Sequence, residues 1–382
     1  MNKDFIVFGS PDIKQAEIDE VANSLKSGWI GTGPKVAKFE KIFRDYKKVN
    51  NAVAVNSCTA ALHLSLIALN LKEGDEVITT PMTFCSTVNA IIHVGATPVL
   101  ADVDPLSMNI DPHKIEEKIT SKTKCILPVH FAGRPCKMDK IMELANEHNS
   151  YVVEDCAHAV EAIYHEKYAG TFGNFGCFSF YVTKNIVTGE GGMVITNHEK
   201  LANRIRQLAL HGLSKDAWKR FSDEGFQHYY VEEAGFKYNM MDIQAAIGIH
   251  QLKRIEENWL RRQKTWNYYN ENFSELPINL PALTEKNTRH AYHLYTVQID
   301  ENEAGLTRDE FLVRMNEKNI GTGVHYLSIP EHPYYQKQFG WKSVDYPYAM
   351  QIGKQTVSLP LSPKLSDNDI ERVVQTVKSI LN

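Results

Sequence analysis

The sequence predicts an α/β fold in which a large domain with a mostly parallel central sheet is followed by a smaller C-terminal α+β domain. Two features of the first 155 residues indicate the sheet. Short apolar segments alternate with helical periodicities, and these segments are apolar at successive positions rather than at every second one. Parallel strands covered by helices on both faces have this composition. The length of 382 residues suits two domains, which we expect at 1–250 and 251–382.

The large domain begins with an amphipathic helix. Ile18, Val21, Ala22 and Leu25 recur at the i, i+3, i+4 and i+7 positions of one helix face, and Gly28 is expected to end the helix. Strands are then expected at 51–55, 76–80, 97–103, 124–130 and 151–155. Helices are expected between them at 59–71, near 86–95, from residue 112 and at 138–148.

Beyond Thr196 the pattern changes to longer helices and fewer strands. A helix at 199–213 precedes a polar, aromatic-rich loop at about 213–235, and a long helical region follows at 241–273. The segment 291–299 alternates like a half-exposed strand. A helix, a strand and a helix are then expected at 307–319, 321–327 and 367–381. This order is typical of an α+β domain with helices over one face of a sheet.

Composition argues against several classes of function. A formal net charge of −4 gives no basic surface of the kind that binds nucleic acid. No run of about 18 apolar residues could span a membrane, and the N-terminus lacks the pattern of a signal peptide. The six cysteines include no C-x-x-C pair, so we expect reduced thiols, a cytoplasmic location and no metal site.

Several polar side chains are expected at one edge of the predicted sheet. Ligands of such sheets bind beyond the carboxyl ends of the strands, which places residues 57–59, Phe84, His130 and Asp155 at one crevice. The segment NSCTAAL, residues 56–62, puts a helix N-terminus there, and its free N–H groups favour an anion such as a phosphate. Taken alone, Ser57 is explained by a plain N-cap and Asp155 by a cap of the next helix, and His130 is equally a core histidine.

The segment FSFYVTKNIVTGEGG, residues 178–192, places one lysine where a buried strand runs into a glycine-rich turn. A low-dielectric crevice disfavours the charged form of Lys184, and a neutral amine can form a Schiff base with an aldehyde. Asp155 would hold a proton on a ring nitrogen, as in enzymes that use pyridoxal phosphate (PLP) as an electron sink. Ser179 could offer its hydroxyl to the phosphate. Together these residues predict a PLP site.

Seven segments carry a further signal: SCTAAL, GDEVITTPMTF, GATPVLADVD, ILPVHFAG, VVEDCAHA, FSFYVTKNIVTGEGG and GFKYNMMDIQAAIG. In this order they resemble the DegT/DnrJ/EryC1/StrS sugar aminotransferases over nearly the whole chain. SGWIGTGP, GFKYN and GTGVHY are most similar to the branch that aminates C4 of UDP-linked keto-sugars, such as the UDP-4-amino-4-deoxy-L-arabinose enzyme. The resemblance implies PLP fold type I (aspartate aminotransferase-like), glutamate as amino donor, and a homodimer with the cofactor at the subunit interface.

The resemblance also implies roles for individual residues. Lys184 would hold the cofactor as a Schiff base and later move the proton, and Asp155 would pair with the ring nitrogen. Phe84 would stack on the ring. Further cofactor contacts are implied for Ser57, Cys58, Thr59, His158, Ser179 and, from the other subunit, Asn239. Contacts to the sugar nucleotide are implied for Trp29, Ile30, Tyr181 and His325. Tyr181 and Val182 depart from the His-Ala that the family often has, so a contact near the sugar differs.

Other interpretations stay open. An NAD-type oxidoreductase or nucleotide-sugar dehydratase would need a G-x-G-x-x-G fingerprint after the first strand, which the sequence lacks. A PLP sugar dehydratase of the same fold has His in place of the anchoring lysine, so Lys184 argues against it. A catalytically inactive relative that acts as a regulator would not need both Lys184 and Asp155, so their presence argues against that alternative. Amination at C3 or another sugar carbon is not distinguished from amination at C4. His325 alone is equally a surface residue in a strand.

Overall fold

The computed structural model describes residues 4–214 and 230–381, and its central element is a seven-stranded sheet. The strands are β1 Asn51–Val55, β2 Glu76–Thr79, β3 Thr97–Leu100, β4 Thr123–Leu127, β5 Tyr151–Asp155, β6 Ile163–Tyr164, β7 Lys167–Tyr168, β8 Phe175–Ser179, β9 Gly192–Thr196, β10 Thr288–Arg289, β11 Tyr295–Gln298 and β12 Thr356–Leu359. The central sheet has the order β1-β9-β8-β5-β4-β2-β3. In this sheet β9 is the one strand that runs opposite to the others, so the expectation of a mostly parallel sheet is confirmed.

Helices cover both faces of the sheet. The helices of the described chain, including those of the C-terminal third, are α1 Gln15–Ser27, α2 Pro34–Lys47, α3 Cys58–Ala68, α4 Cys85–His93, α5 Pro112–Glu116, α6 Met138–Glu147, α7 Glu199–Ala209, α8 Asp242–Lys253, α9 Ile255–Phe273, α10 Glu301–Ala304, α11 Arg308–Glu317, α12 Pro333–Phe339, α13 Pro347–Gln355 and α14 Asp367–Leu381. Gly28 ends α1 as expected, in the left-handed conformation at φ 79°, with its N–H donating to the carbonyl of Leu25.

The edge strand β1 shows why the strand sequences are apolar throughout. Val53 and Val55 pack into one hydrophobic core beneath the sheet, with α3 and α7. Ala52 and Ala54 point the other way into a second core, with α2 and α8. Because successive side chains of a strand face opposite sides, a sheet covered on both faces needs an apolar residue at every position.

Two expected elements differ in the structure. The helical region expected at 241–273 is two helices, because Arg254 between them leaves the helical range at φ −101° and ψ 8°. The strand expected at 321–327 is wrong. That segment forms a loop whose single bridge pairs Gly323 with Ser358. Of the loop expected at 213–235, residues 215–229 lie outside the described residues.

The C-terminal third has its own core around the two-stranded sheet of β11 and β12. Tyr269 of α9, Val357 of β12 and Val373 of α14 are fully buried in it. Ile6 joins this core, since its N–H donates to the carbonyl of Asn319 at 2.9 Å. Within residues 4–214 and 230–381, no helix is both long and apolar enough to cross a bilayer.

Candidate active site

A cavity of about 530 Å³ opens at the carboxyl ends of the central strands. It brings together most of the residues that the sequence singled out: Ser57, Cys58, Thr59, Phe84, Asp155, His158, Ser179, Tyr181, Lys184 and His325. It also contains residues that the sequence analysis did not single out, namely Thr83, Ser86, Val129, Ala157, Thr183, Glu190, Gly191 and Tyr326. The cavity lies where sheets of this type bind ligands.

The N-terminus of α3 forms one wall of the cavity. Ser57 is its N-cap, and the Ser57 hydroxyl oxygen accepts a hydrogen bond from the Ala60 N–H at 3.1 Å. The N–H groups of Cys58 and Thr59 have no acceptor within the described part of the chain. Unpaired N–H groups at the positive end of a helix dipole favour an anion, so this wall is suited to a phosphate.

Gly192 keeps this loop against the sheet. A Cβ at Gly192 would lie 2.5 Å from the carbonyl carbon and oxygen of Ser57 and 2.8 Å from the Cys58 nitrogen. The first residue of β9 therefore has no room for a side chain. The glycine allows the backbone of the anion-binding loop to approach the sheet closely.

Asp155, at the end of β5, is the buried acid of the cavity and is only 3% exposed. Its carboxylate accepts hydrogen bonds from the Thr87 hydroxyl at 2.8 Å and from the Ala157 N–H at 3.1 Å. Burial raises the pKa of Asp155, and these hydrogen bonds and nearby Lys184 oppose the rise. Two hydrogen bonds leave acceptor capacity on the carboxylate for a ligand N–H.

Thr87 and Thr83 were not recognised as functional in the sequence. The Thr87 hydroxyl donates to Asp155, so in the contact between the two threonine oxygens, at 2.7 Å, Thr83 is the donor. The only signal is their i, i+4 spacing, which places both on one side of the start of α4. The pair fixes the orientation of the Asp155 carboxylate.

Lys184 lies in the turn after β8, where its backbone N–H donates to the carbonyl of Tyr181 at 2.9 Å. Loss of water around the amine lowers the pKa of Lys184 to about 8, although Cys58 and Asp155 act in the opposite direction. With this pKa, about one side chain in ten is neutral at pH 7, against about one in 3,000 for an ordinary lysine. Lys184 is therefore suited to act as a nucleophile near neutral pH.

Two histidines border the cavity and stay neutral. Burial and nearby Lys184 lower the pKa of His158 well below its usual range and that of His325 to about 3. The His325 Nδ1 lies 2.8 Å from the Ser358 hydroxyl. His325 is thus a cavity residue in a loop, and the alternative of a surface residue in a strand is wrong.

The mouth of the cavity is aromatic. Phe84, the residue before α4, is 58% exposed, and its ring centroid lies 6.1 Å from that of Tyr326. Tyr181 is 45% exposed on the same side. These rings offer flat apolar surface to a ligand that enters the cavity.

Three predicted residues lie outside this cavity. Trp29 and Asn239 line a second cavity of about 430 Å³, next to the edge strand β1. The Asn239 side chain donates to the Thr32 hydroxyl at 2.6 Å, while its own carbonyl oxygen is buried without a partner among the described residues. Ile30 follows Trp29, and half of its side chain is exposed. The single chain does not bring these residues to Lys184.

His130 does not face the crevice, so that prediction is wrong. Its Nδ1 accepts a hydrogen bond from the Cys136 N–H at 3.0 Å, and its Nε2 therefore donates to Glu154 at 3.1 Å. Cys156 lies close to both. The Glu154 oxygens also accept three backbone N–H bonds, from Gly170, Phe172 and Gly173. His130 and Glu154 therefore belong to a buried hydrogen-bond network, which agrees with the interpretation of His130 as a core histidine.

Comparison with known proteins agrees with this geometry. The model of the DegT/DnrJ/EryC1/StrS aminotransferase family matches residues 11–378. The spore coat polysaccharide biosynthesis protein SpsC of Bacillus subtilis is 49% identical, over 99% of this chain and 97% of its own. The Streptococcus pneumoniae protein Spr1654, solved in PLP and PMP forms, superposes with a TM-score of 0.90 at 32% identity, covering 98% of this chain. The same match covers 98% of the Spr1654 chain in its PLP form.

A second solved structure is more distant in sequence. PseC of Helicobacter pylori, an aminotransferase involved in the biosynthesis of pseudoaminic acid, superposes with a TM-score of 0.91 at 26% identity. The match covers 99% of both chains. The expectation of an aminotransferase of PLP fold type I is confirmed by these relatives.

Proposed function

Because the chain belongs to the DegT/DnrJ/EryC1/StrS aminotransferase family, we propose that it moves an amino group from glutamate to a nucleotide-linked keto-sugar. It is a PLP-dependent aminotransferase. The name of the relative SpsC and the description of PseC support an amino-sugar product. We propose that this product serves the cytoplasmic synthesis of a surface polysaccharide or of the lipid A part of lipopolysaccharide.

One observation carries the proposal: the nucleophile, the acid and the anion site lie in the same cavity. The residues fit PLP. The free N–H groups of Cys58 and Thr59 suit its phosphate, and the buried Asp155 carboxylate suits its protonated ring nitrogen. Lys184, with a pKa lowered to about 8, suits its aldehyde. Ser57, Ser179, Phe84 and His158 would complete the contacts.

Lys184 and Asp155 would have the central roles. When bound, PLP supplies an aldehyde carbon that carries the amino group and a ring that draws in electrons. Lys184, displaced by glutamate as a neutral amine, would take the proton from the glutamate α-carbon. In the second half of the reaction Lys184 would take part in returning a proton to the sugar carbon. Asp155 would hold a proton on the ring nitrogen throughout, and Tyr181 and His325 would contact the sugar nucleotide.

The finer proposal is amination at C4 of a UDP-linked 4-keto sugar. It is supported by SGWIGTGP, GFKYN and GTGVHY, which are most similar to the UDP-4-amino-4-deoxy-L-arabinose branch. Amination at C3 or another sugar carbon is the alternative, and Tyr181 departs from the family's usual residue near the sugar. Lys184 weighs against a PLP dehydratase, in which a histidine stands at this position.

We further propose a homodimer in which each chain completes the site of the other. Residues 1–250 would form the large domain and 251–382 the small one. Asn239, whose carbonyl oxygen has no partner in the described chain, would reach the partner's phosphate site. Trp29 and Ile30, both half exposed, would approach the partner's sugar. The second cavity beside the sheet edge is consistent with a surface that another copy covers.

Subunit exchange tests the shared site. Lys184→Ala and Asn239→Ala chains should each be inactive, whereas mixed dimers should regain activity, because one of their two sites carries both intact residues. No recovery after proven exchange would refute the shared site.

The substrate proposal is tested by a panel of UDP-, TDP- and GDP-linked keto-sugars with glutamate. We expect turnover with a UDP-linked 4-keto sugar, and ping-pong kinetics, because one site serves both substrates in turn. Turnover with only a TDP- or GDP-linked sugar, or only with 3-keto sugars, would overturn the finer proposal.

A further inference from the structure

A short hydrogen-bond chain leads from the backbone to the active-site cavity. The Ala132 N–H lies 3.2 Å from Nδ1 of His158, and Nε2 of His158 lies 3.0 Å from the hydroxyl oxygen of Tyr326. Tyr326 and His158 both line the cavity that contains Lys184. Within the segment GTGVHY the sequence analysis gave a role to His325 but none to its neighbour Tyr326.

The direction of each hydrogen bond follows from chemistry. A backbone N–H can only donate, so Nδ1 of His158 is the acceptor and carries no proton. A neutral imidazole then carries its proton on Nε2, and Nε2–H donates to the Tyr326 oxygen. Tyr326 is therefore the acceptor in this contact, and its own O–H must point elsewhere. No acceptor for that O–H is found within residues 4–214 and 230–381.

The surroundings keep both groups in these protonation states. Burial lowers the pKa of His158 well below its usual range, so the imidazole stays neutral. Burial, with nearby Asp155 and Cys85, raises the pKa of Tyr326, so the phenol keeps its proton. The Tyr326 ring is held against Phe131, with centroids 6.2 Å apart. The hydroxyl oxygen thus has a defined position, and its O–H points away from His158.

We propose that Tyr326 is a ligand-binding residue whose O–H donates a hydrogen bond to an oxygen atom of the bound ligand, and that His158 is the positioning residue that sets this direction. The ligand oxygen is an acceptor, either the phenolic oxygen of PLP or a carbonyl or hydroxyl oxygen of the sugar. His158 acts as a fixed donor and takes no part in acid–base chemistry. Only the sugar alternative rests on the proposed function.

The test compares Tyr326→Phe with a matched control, Tyr335→Phe. Both changes remove one hydroxyl from a tyrosine and keep the ring, but the Tyr335 hydroxyl donates to Asn89 at 2.6 Å and does not line the cavity. The PLP dissociation constant of the apo-protein and the KM of the keto-sugar are measured for each. We expect Tyr326→Phe to raise one of them about 10- to 100-fold, as for hydrogen bonds to charged or strongly polar acceptors. A rise in the dissociation constant identifies PLP, and a rise in KM alone identifies the sugar.

A second measurement determines the protonation state and tautomer of His158. In ¹⁵N NMR of the apo-protein near neutral pH, His158 should be neutral and protonated on Nε2, both in the wild type and in Tyr335→Phe. A proton on Nδ1 overturns the proposal. So does a PLP dissociation constant within twofold of wild type in Tyr326→Phe without a matching rise in KM. If no keto-sugar is turned over, the proposed function fails, whereas the NMR and PLP measurements still decide the role of Tyr326.

Discussion

Substituting Gly192 by alanine tests whether the backbone at the start of α3 is the anion site. The added Cβ would lie 2.5 Å from the carbonyl atoms of Ser57 and 2.8 Å from the Cys58 nitrogen. Because non-bonded carbon atoms prefer about 3.5–4.0 Å, the loop must move by about 1 Å. Gly192 itself is held on both sides, paired with Val55 of β1 and Ser179 of β8, so the loop yields before the strand does.

This movement has two measurable consequences. Overpacking of this kind costs about 1–3 kcal/mol, which should appear in the free energy of unfolding of the apo-protein in urea. A displaced pair of N–H groups also loses about 1.5–3 kcal/mol of hydrogen bonding to the phosphate. The dissociation constant of PLP, measured by absorbance titration of the apo-protein, should therefore rise about 10- to 150-fold.

Gly31→Ala is the control, because a Cβ at Gly31 meets no atom within 4 Å. Its free energy of unfolding should stay close to that of the wild type. If Gly192→Ala is folded and binds PLP within twofold of the wild type, the loop at Cys58 and Thr59 is not the phosphate site.

Three further predictions concern the charged groups. The reaction of Lys184 with PLP in the apo-protein should speed up between pH 7 and 9 and level off above, because the pKa of Lys184 is lowered to about 8 and only the neutral amine reacts; stopped-flow absorbance reports the rate. Asp155→Asn should still bind PLP but slow the removal of the glutamate α-proton by about 10²-fold or more, measured in single turnovers. Glu161→Gln leaves the buried guanidinium of Arg262 without its carboxylate and should lower the free energy of unfolding by about 3–5 kcal/mol.

Each of these has its own contrary outcome. A rate that still rises steeply above pH 10 would show that Lys184 keeps an ordinary lysine pKa. Glutamate turnover by Asp155→Asn at the wild-type rate would remove that residue from the reaction. Lys140→Ala breaks an exposed pair with Glu143 and should cost less than about 1 kcal/mol. If Glu161→Gln costs no more than this control, the buried pair does not stabilise the fold.

The sheet was predictable because a strand that is buried on both faces has apolar residues at successive positions. Continuous apolar segments located β1 and β5, and the observed strand Tyr151–Asp155 has the expected bounds. The prediction of a strand at 321–327 was wrong because this segment lacks such a continuous apolar pattern. Its apolar residues Val324 and Leu327 are too few and too far apart to define a face, and the glycines at 321 and 323 approach the backbone at Ile6 and the ring of His325.

The site was predictable where chemistry depends on position along the chain, and not where it depends on side-chain direction. Asp155 ends the parallel strand β5 and His130 lies just beyond β4, but the Asp155 carboxylate faces the cavity whereas the His130 ring turns towards Glu154 in the core. Strand ends locate such residues, but the local hydrogen bonds set their direction. The proposed role of Tyr326 could not be predicted from the sequence for the same reason. Only the geometry shows that Nε2–H of His158 donates to the Tyr326 hydroxyl oxygen.

The central claim, that Lys184 and Asp155 carry out transamination, is tested most directly by a half-reaction. The PLP-loaded protein is mixed with glutamate alone, and the cofactor and released acid are followed by absorbance and mass spectrometry. We predict conversion to the pyridoxamine form with one equivalent of 2-oxoglutarate, and none in Lys184→Ala. Borohydride treatment before glutamate is added should attach the cofactor to Lys184. If the wild type binds PLP but no amino donor yields the pyridoxamine form, or if the label lies on another lysine, the account is contradicted.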